Sequence, residues 1–360
     1  MTDNKLKVSD FPTTRYQGSK RKILPWIYEN QKDIKFNTVL DGCGGSASVS
    51  YLFKKMGKAV TYNDNLKFNY IIGKALIQNQ KVTFSDEDIL NLLNNELHSP
   101  NLIATLFNNI YYLDDENSWL DKIGFGILNM NHYTGQVLNF KKSIAYYALF
   151  QACLTKRPFN LFHRNNLNIR TADVERNFGN KTTWEKDFTG VFKSFIAEAN
   201  SRIFDSGTRC LSINESIFEI DNVAYDLIYL DLPYLNSEGS NETSNYLKCY
   251  HFLEGLVNYE KWETMIDYST PNLRLKDSQS DTYFNKKNIY NSIEILINKF
   301  RRSKIVISYK KGGLPSIEYI VKVMKHYKKN VITRSQQYTY ALNRQNGNQK
   351  KNKEVLIIGL

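Results

Sequence analysis

A strand–turn–helix–strand unit near the amino terminus constrains the fold of this chain more than any other feature. Residues 38–40 (Thr-Val-Leu) are predicted to form a short buried strand that runs into a glycine-rich turn at 41–45 (Asp-Gly-Cys-Gly-Gly). Helical periodicity extends over 48–56, and a second strand at 59–62 ends beside Asp64. Glycines let backbone N–H groups approach a ligand, and an acid about twenty residues later can accept hydrogen bonds from ribose hydroxyls. The unit predicts a nucleotide-type pocket, although an ordinary tight turn with Asp64 as a helix cap gives the same pattern.

By periodicity and composition, the rest of the chain divides into a helical middle segment and a second group of strands. Residues 81–204 are mostly helical in pattern and rich in aromatic residues and asparagine. Further strands are predicted at 211–213, 226–230, 304–309 and 354–359. Strands that alternate with helices favour an α/β fold with a mainly parallel sheet. We therefore predict a sheet domain formed by 1–80 and 205–360, with 81–204 inserted into it.

The tetrapeptide 231–234 (Asp-Leu-Pro-Tyr) follows an apolar strand, at the edge where open α/β sheets bind ligands. The exocyclic amine of adenine carries two N–H bonds, and a carboxylate beside a backbone carbonyl can accept both. Asp231 supplies the carboxylate and Leu232 the carbonyl, whose direction Pro233 fixes by making the preceding residue extended. Tyr234 offers a ring on which an extruded base can stack. A strand that simply ends in a proline turn gives the same sequence.

A basic segment at 15–20 (Arg-Tyr-Gln-Gly-Ser-Lys) lies ahead of the first strand. It is interpreted either as a basic turn or as a loop that closes over the carboxylate or adenosine of a cofactor. In the second interpretation Lys20 is the charged contact.

Taken in order, these motifs resemble those of the Dam-type (D12 class) adenine-specific DNA methyltransferases. The resemblance rests on the segments 15–20, 41–47, 62–64, 231–234, 250–255, 308–309 and 312–316. It spans nearly the whole chain and implies a Rossmann-like methyltransferase sheet with a mostly helical inserted DNA-recognition region. It further implies S-adenosylmethionine as cofactor, no metal, and methyl transfer to N6 of an adenine flipped out of double-stranded DNA.

The resemblance also implies which residues form the site. The catalytic residues are Asp231, Leu232, Pro233 and Tyr234. The cofactor-binding residues are Tyr16, Lys20, Asp41, Cys43, Gly45, Asp64, Asn214 and Ser216. The candidate DNA contacts in the inserted region are Arg157, Arg164, Arg170 and Arg176, which could hold phosphates or read guanine edges.

Three departures from the family pattern keep other functions open. Cys43 and Ala47 replace Phe and Gly in the glycine turn, Leu232 replaces Pro, and the acid expected near the cofactor adenine is absent from 214–216 (Asn-Glu-Ser). If position 47 needs a positive φ, alanine costs about 1 kcal/mol or more there. One alternative is therefore a weakened or silent paralogue that binds DNA without modifying it. Another is methylation of RNA or protein glutamine, whereas a nicotinamide-dependent dehydrogenase does not explain the tetrapeptide.

Charge and composition agree with a DNA-binding protein. The net charge of +12 and the pI of about 9.2 favour polyanions, although AT-rich coding also enriches lysine. No run of eighteen apolar residues and no signal peptide occurs, so no membrane segment is expected. The four cysteines are scattered, which favours a reducing cytoplasm. The expected partners are double-stranded DNA and a cognate restriction endonuclease.

Overall fold

A seven-stranded sheet organises the protein, and a two-stranded ribbon accompanies it. The computed structural model describes residues 7–172, 180–221, 225–233, 235–236, 245–277, 283–338 and 352–360. The strands are β1 (Thr38–Asp41), β2 (Ala59–Asn63), β3 (Leu211–Ile213), β4 (Leu227–Leu230), β5 (Leu235–Asn236), β6 (Lys304–Lys310), β7 (Gly313–Leu314), β8 (Val331–Tyr338) and β9 (Asn352–Gly359).

The strand order across the large sheet is β3-β2-β1-β4-β6-β9-β8. The strands β3, β2, β1, β4 and β6 are parallel to one another, and β9 runs antiparallel to both of its neighbours, β6 and β8. This order confirms the predicted α/β class with a Rossmann-like sheet. The chain proceeds outward from β1 in one direction to β3 and then returns to β4 on the other side. Such a switch in direction opens a crevice at the carboxyl ends of the central strands.

Strand β8 is the one strand of the large sheet that the sequence patterns do not predict. Its side chains from 331 to 337 are half-buried or exposed. Among the described strands it pairs with β9 alone, so it forms an edge. An edge strand with a solvated surface lacks the apolar run that marks a central strand.

Helices cover both faces of the sheet. The α-helices of the described residues are α1 (Leu24–Glu29), α2 (Ser48–Lys55), α3 (Lys67–Gly73), α4 (Asp86–Leu93), α5 (Leu102–Leu106), α6 (Asp114–Leu128), α7 (Gly135–Thr155), α8 (Leu167–Thr171), α9 (Asn180–Trp184), α10 (Phe188–Arg202), α11 (Tyr246–Leu256), α12 (Trp262–Met265), α13 (Ile289–Lys299) and α14 (Ile317–Tyr327). Several helices begin at an N-cap residue whose side chain accepts a backbone N–H of the first turn, including Ser85 for α4, Asp187 for α10 and Ser316 for α14.

Alternate residues of the central strands enter two separate hydrophobic cores. Val39 of β1 and Val306 of β6 belong to the larger core, whereas Leu40 and Ile305 pack with α13 and α14 in the smaller one. The helical region 81–204 contributes to the larger core. One continuous core therefore joins the two parts that the sequence predicts as domains, and their boundaries stay a prediction.

No helix in the described part of the chain has both the length and the apolarity needed to cross a membrane.

Candidate active site

A cleft of about 850 Å³ opens at the carboxyl ends of the parallel strands. Asp41 ends β1, Asp231 follows β4, and both line the cleft. Segments 16–20, 42–46 and 215–219 also contribute to its walls. The topology thus brings together three of the motifs that the sequence analysis identified.

Gly44 in the glycine turn lies so close to Tyr62 that a side chain is excluded at this position. A Cβ atom on Gly44 would lie 2.1 Å from the Tyr62 ring. The N–H of Gly42 donates to the carbonyl of Tyr229 at 2.9 Å, and that of Gly44 donates to the carbonyl of Asn63 at 2.8 Å. These bonds fix the turn to the neighbouring strands β4 and β2.

Ala47 adopts the left-handed backbone that glycine favours. Its φ is 60° and its ψ is 10°, and it is the residue immediately before α2. The side chain is 1% exposed. The condition left open from the sequence is therefore met, because position 47 has a positive φ and alanine occupies that conformation.

Asp64 stabilises the glycine turn through hydrogen bonds of its carboxylate. Its Oδ2 accepts the N–H of Gly45 at 2.9 Å, and its Oδ1 accepts the N–H of Leu66 at 2.9 Å. Burial nonetheless raises the pKa of this carboxyl above its ordinary value. Asp64 lines the cleft, so its carboxylate lies where a bound ligand can reach it.

The two carboxylate oxygens of the buried Asp41 differ in their contacts. Its Oδ2 accepts the hydroxyl of Ser50 at 2.7 Å, but its Oδ1 has no hydrogen-bond partner among the described residues. Burial raises the pKa of Asp41 to about 7, and the nearby carboxylates of Asp231 and Asp64 add to that effect. A buried oxygen of this kind at a cleft is suited to a cationic or hydrogen-bond-donating ligand.

Tyr16 anchors the segment 15–20 over the cleft by aromatic stacking. Its ring lies parallel to that of Tyr250, at 4.7 Å between centroids, and to that of Tyr246, at 5.5 Å. The N–H of Gln17 donates to the Tyr250 hydroxyl at 2.7 Å. The segment is thereby attached to α11, and both Tyr16 and Tyr246 line the cleft.

Lys20 forms an ion pair with the predicted catalytic acid. Its Nζ lies 3.0 Å from Asp231 Oδ1 and 3.0 Å from Glu354 Oε1. The side chains of Lys20 and Glu354 are 5% and 2% exposed, whereas that of Asp231 is 24% exposed. Burial raises the pKa of Asp231 to about 6, an effect that Lys20 opposes and Glu354 reinforces. Lys20 also lines the cleft, and its direct contact with a cofactor stays a prediction.

Two described residues that follow Asp231 are held in place, Leu232 by core packing and Leu235 by the two-stranded ribbon. Leu232 is 1% exposed and belongs to the smaller core. Pro233 lines the cleft, and Leu235 pairs with Leu314 in the antiparallel β5–β7 ribbon. Tyr234 lies outside the described residues.

Asn214 is not among the residues that line the cleft, and its contact with a cofactor stays a prediction. Its side chain is exposed and donates to the backbone carbonyl of Asp64 at 2.7 Å. Glu215 and Ser216 line the cleft instead, as do Cys43 and Gly45. The chain after β3 turns so that Glu215 and Ser216, rather than Asn214, line the cleft.

Arg157 is a structural residue, which corrects its prediction as a DNA contact. It is 1% exposed, and its guanidinium donates four hydrogen bonds to the carbonyls of Leu161, Arg164 and Asn165, at 2.6 to 3.2 Å. It also lies over the ring of Tyr111, 4.6 Å from the centroid. The buried Arg157 side chain therefore stabilises the loop 158–165 by hydrogen bonds to its backbone.

Arg170 is likewise engaged within the protein. Both of its terminal nitrogens donate to the Glu116 carboxylate at 2.8 Å, and its side chain is 5% exposed. Its predicted contact with DNA is therefore corrected too. Arg164 is exposed and remains a candidate, whereas Arg176 lies outside the described residues.

Two residues of the site were missed by the sequence analysis. Glu354 belongs to β9, and no local pattern marks it, because only the β6–β9 pairing brings it near Lys20. Asn63 carries a weak signal as the residue before Asp64. Its side chain donates to the carbonyls of Gly42 at 2.9 Å and Glu215 at 3.0 Å, which ties two walls of the cleft together.

Comparison with known proteins matches the chain to one family. The sequence model of the D12 class N6 adenine-specific DNA methyltransferases matches residues 16–250. The type II methyltransferase M2.HphI of Haemophilus parahaemolyticus is 23% identical over 355 residues, which cover 97% of each chain. The type II methyltransferase M.FokI of Planomicrobium okeanokoites is 25% identical over 87% of this chain and 47% of its own length. The modification methylase StsI of Streptococcus sanguinis is 24% identical over 95% of this chain and 50% of its own length.

Proposed function

The chain belongs to the D12 class of N6 adenine-specific DNA methyltransferases, and from this premise we propose that it transfers a methyl group from S-adenosylmethionine to N6 of an adenine flipped out of duplex DNA. The observation that carries the proposal is the position of Asp231. It is a partly exposed carboxylate at the carboxyl end of β4, in the cleft, and a buried lysine holds it.

The cleft suits a cationic cofactor. Among the described residues that line it, seven are acidic and four are lysines. We assign the ribose hydroxyls to Asp64, which lines the cleft, and a further acceptor role to Oδ1 of Asp41, which has no hydrogen-bond partner among the described residues. S-adenosylmethionine, when bound, supplies an electrophilic methyl group on a positively charged sulfur. The donor set therefore fits this cofactor better than it fits an anionic one.

Asp231 and the carbonyl of Leu232 accept the two hydrogens of the adenine amine. Lys20 contacts Oδ1 of Asp231, so we assign the amine to Oδ2. Accepting both hydrogens draws the N6 lone pair out of conjugation with the ring, which makes the nitrogen a better nucleophile. Burial of Leu232 in the smaller core fixes the chain from which the carbonyl projects. Stacking of the base on Tyr234 is part of the same proposal.

The test is incorporation of labelled methyl groups into plasmid DNA from a methylation-free host. The wild-type protein should label adenine, and Asp231→Ala should reduce labelling by about a thousandfold or more because the amine loses its main acceptor. Asp115→Ala, at an exposed position in α6, is the matched control and should retain activity. Labelling that persists in Asp231→Ala would overturn the assignment of the catalytic residue. Modification-sensitive sequencing of the same plasmid identifies the methylated base and its sequence context.

The contact with DNA is proposed to include the loop that Arg157 stabilises. Arg164 is exposed on this loop, and Phe159 is 43% exposed with a φ of 62°. The loop adjoins the cleft, because the carbonyl of His163 accepts a hydrogen bond from Arg274 at 3.0 Å, and Leu275 lines the cleft. An exposed cation and a partly exposed aromatic ring on this loop suit a contact with the DNA backbone.

An active enzyme is favoured over a silent paralogue. Ala47 holds the left-handed turn, and Leu232 is packed without disturbing the position of Asp231 in the cleft. Titration calorimetry with S-adenosylmethionine separates the two functions, because a silent paralogue that binds only DNA should release no heat.

We also propose a role in restriction and modification. Two of the relatives are named type II methyltransferases and a third a modification methylase. The corresponding experiment is protection. DNA methylated by this protein should resist a restriction endonuclease of the same sequence specificity, whereas DNA exposed to Asp231→Ala should be cleaved.

A further inference from the structure

Three charged side chains from distant parts of the sequence meet at the edge of the cleft. Lys20 comes from the segment before α1, Asp231 follows β4, and Glu354 belongs to β9. The Lys20 ammonium lies 3.0 Å from an oxygen of each carboxylate. Exposure falls from 24% for Asp231 to 2% for Glu354, so the arrangement runs from the cleft into the protein.

Glu354 is fixed at the inner end of this arrangement. Its Oε1 also accepts the hydroxyl of Ser308 at 2.9 Å, and Ser308 is fully buried in β6. A buried carboxylate is unfavourable unless it is paired and hydrogen-bonded. Here it is both, and the extended pairing of β6 with β9 sets the position of its backbone.

Glu354 changes what Lys20 does to the acid in the cleft. A buried lysine paired with Asp231 alone would bind that carboxylate tightly and compete with the amine of the substrate. A second carboxylate shares the ammonium, so that one negative charge remains on the three side chains together. Sharing also fixes Lys20 Nζ in a position between the two acids, where it orients Asp231 through Oδ1.

We infer that Glu354 is a positioning residue for the proposed methyl transfer, and that it acts through Lys20 to keep Asp231 oriented and able to accept the hydrogens of the adenine amine. The inference rests on the proposed function. Ser308 supports Glu354 in this role.

The charges around Asp231 should determine how the activity depends on pH. Among the described residues, the titratable groups that interact with Asp231 are Lys20, Glu354, Asp41, Cys43 and Tyr229. Lys20 lowers the pKa of Asp231 and Glu354 raises it. Substitution of these two residues should therefore shift the acidic limb of the activity profile in opposite directions, while the other three groups stay unchanged.

The experiment compares pH profiles of single-turnover methyl transfer to plasmid DNA at saturating S-adenosylmethionine. For Glu354→Gln we expect the rate on the plateau to fall about tenfold and the acidic limb to move to lower pH by about one unit. For Lys20→Met we expect the limb to move to higher pH by a similar amount. Ser308→Ala should give a smaller change in the direction of Glu354→Gln.

Exposed positions provide matched controls for the two charge changes. Glu318→Gln and Lys22→Met alter the same charges on the surface and should leave the profile unchanged. Calorimetry should show cofactor affinity within about twofold of wild type for Glu354→Gln, because its side chain is only 2% exposed and is not among the residues that line the cleft.

A readout without substrate checks the ion pairs directly. In the cofactor-free state, the Lys20→Met protein lacks the cation that lowers the pKa of Asp231, so the folded-state pKa of this carboxyl should lie further above its unfolded value. The unfolding midpoint of Lys20→Met, relative to wild type, should therefore rise as the pH falls from 8 to 5.

The outcomes separate the inference from the proposed function. An inactive wild-type protein overturns both. An active wild-type protein whose profile overlaps that of Glu354→Gln overturns the inference alone. Limbs that shift in the same direction for Lys20→Met and Glu354→Gln overturn it as well.

Discussion

At the scale of the single residue, Asp231 combines exposure to the cleft with a pKa that burial raises to about 6. A carboxylate accepts both amine hydrogens only when it is ionised, and protonation also weakens its pair with Lys20. The rate of methyl transfer should therefore fall about tenfold for each pH unit below about 6 and level off above it.

The measurement is the single-turnover rate between pH 5 and 8 at saturating cofactor. Saturation matters because burial raises the pKa of Asp41 to about 7, and its titration would otherwise affect cofactor binding. A rate that stays constant from pH 7 down to pH 5 would contradict the role of the Asp231 carboxylate.

Ala47 sets a second test at this scale, because its φ of 60° is unfavourable for any residue with a Cβ atom. Ala47→Gly should relieve about 1–2 kcal/mol of backbone strain. It should also lose about 0.8 kcal/mol of methyl burial and about 0.5–1 kcal/mol through the greater freedom of the unfolded chain. The free energy of unfolding should therefore stay within about 1 kcal/mol of wild type.

Ala47→Val is the contrasting variant. A β-branched residue fits neither the positive φ nor the closed packing at 1% exposure, so it should destabilise the protein by about 2 kcal/mol or more. Urea unfolding followed by circular dichroism measures both variants. A gain of 2 kcal/mol in Ala47→Gly would show that alanine strains the turn far more than its conformation indicates.

At the scale of the element, the loop after α7 depends on a single buried guanidinium. Arg157→Ala would leave the carbonyls of Leu161, Arg164 and Asn165 without their donor. An unsatisfied buried carbonyl such as that of Leu161 costs about 1–3 kcal/mol, whereas water can replace the lost donor at the part-buried carbonyls of Arg164 and Asn165, so the total loss of stability should be about 2–3 kcal/mol.

Arg157→Lys separates charge from geometry. Its ammonium keeps the positive charge but cannot span three carbonyls in one plane, so it should recover only part of the lost stability. Denaturant midpoints measure both variants. Full stability in Arg157→Ala, together with weaker DNA binding, would restore the interpretation of this residue as a DNA contact.

Local patterns predicted the elements that lie at the centre of the fold. The strand–turn–helix–strand unit from β1 to β2 and the strands β4 and β6 are apolar runs bounded by turns, and the structure has them where expected. Edge strand β8 was missed because its exposed residues carry no apolar period. Sequence patterns thus predict the central strands, which are buried on both faces of the sheet, better than they predict an edge strand such as β8.

Side-chain roles depend on contacts that sequence spacing does not encode. Asp41, Asp64 and Asp231 could be expected at the cleft because each follows a strand, and the ends of parallel strands share one edge. Arg157 and Arg164 have the same chemistry and lie seven positions apart, yet one is buried and the other exposed. Only the packing of Tyr111 and the path of the loop distinguish them.

At the scale of the whole molecule, positive charge and the cleft are separated. The chain carries a net charge of +12, but the described residues that line the cleft include more acids than lysines. The acidic cleft attracts a cationic cofactor and repels phosphate. On the proposed function, we therefore expect basic residues outside the cleft to hold the duplex and only the target nucleotide to enter the cleft.

This separation leads to a prediction about salt. Because binding of the duplex releases counterions from the phosphates that basic residues contact, the logarithm of DNA affinity should fall linearly with the logarithm of salt concentration. Arg164→Ala, which removes one exposed cation from the loop, should lower the slope by about one unit and weaken binding similarly for all sequences.

Arg170→Lys is the matched control, since it keeps the charge at a position whose side chain is 5% exposed and bound to Glu116. It should leave the salt slope unchanged even if it lowers stability. Fluorescence anisotropy with a labelled duplex, from 50 to 300 mM salt, measures the slopes. Equal slopes for wild type and Arg164→Ala would remove this loop from the DNA interface. The phosphate contacts would then have to come from another basic surface, because the charge of the cleft itself is unfavourable for them.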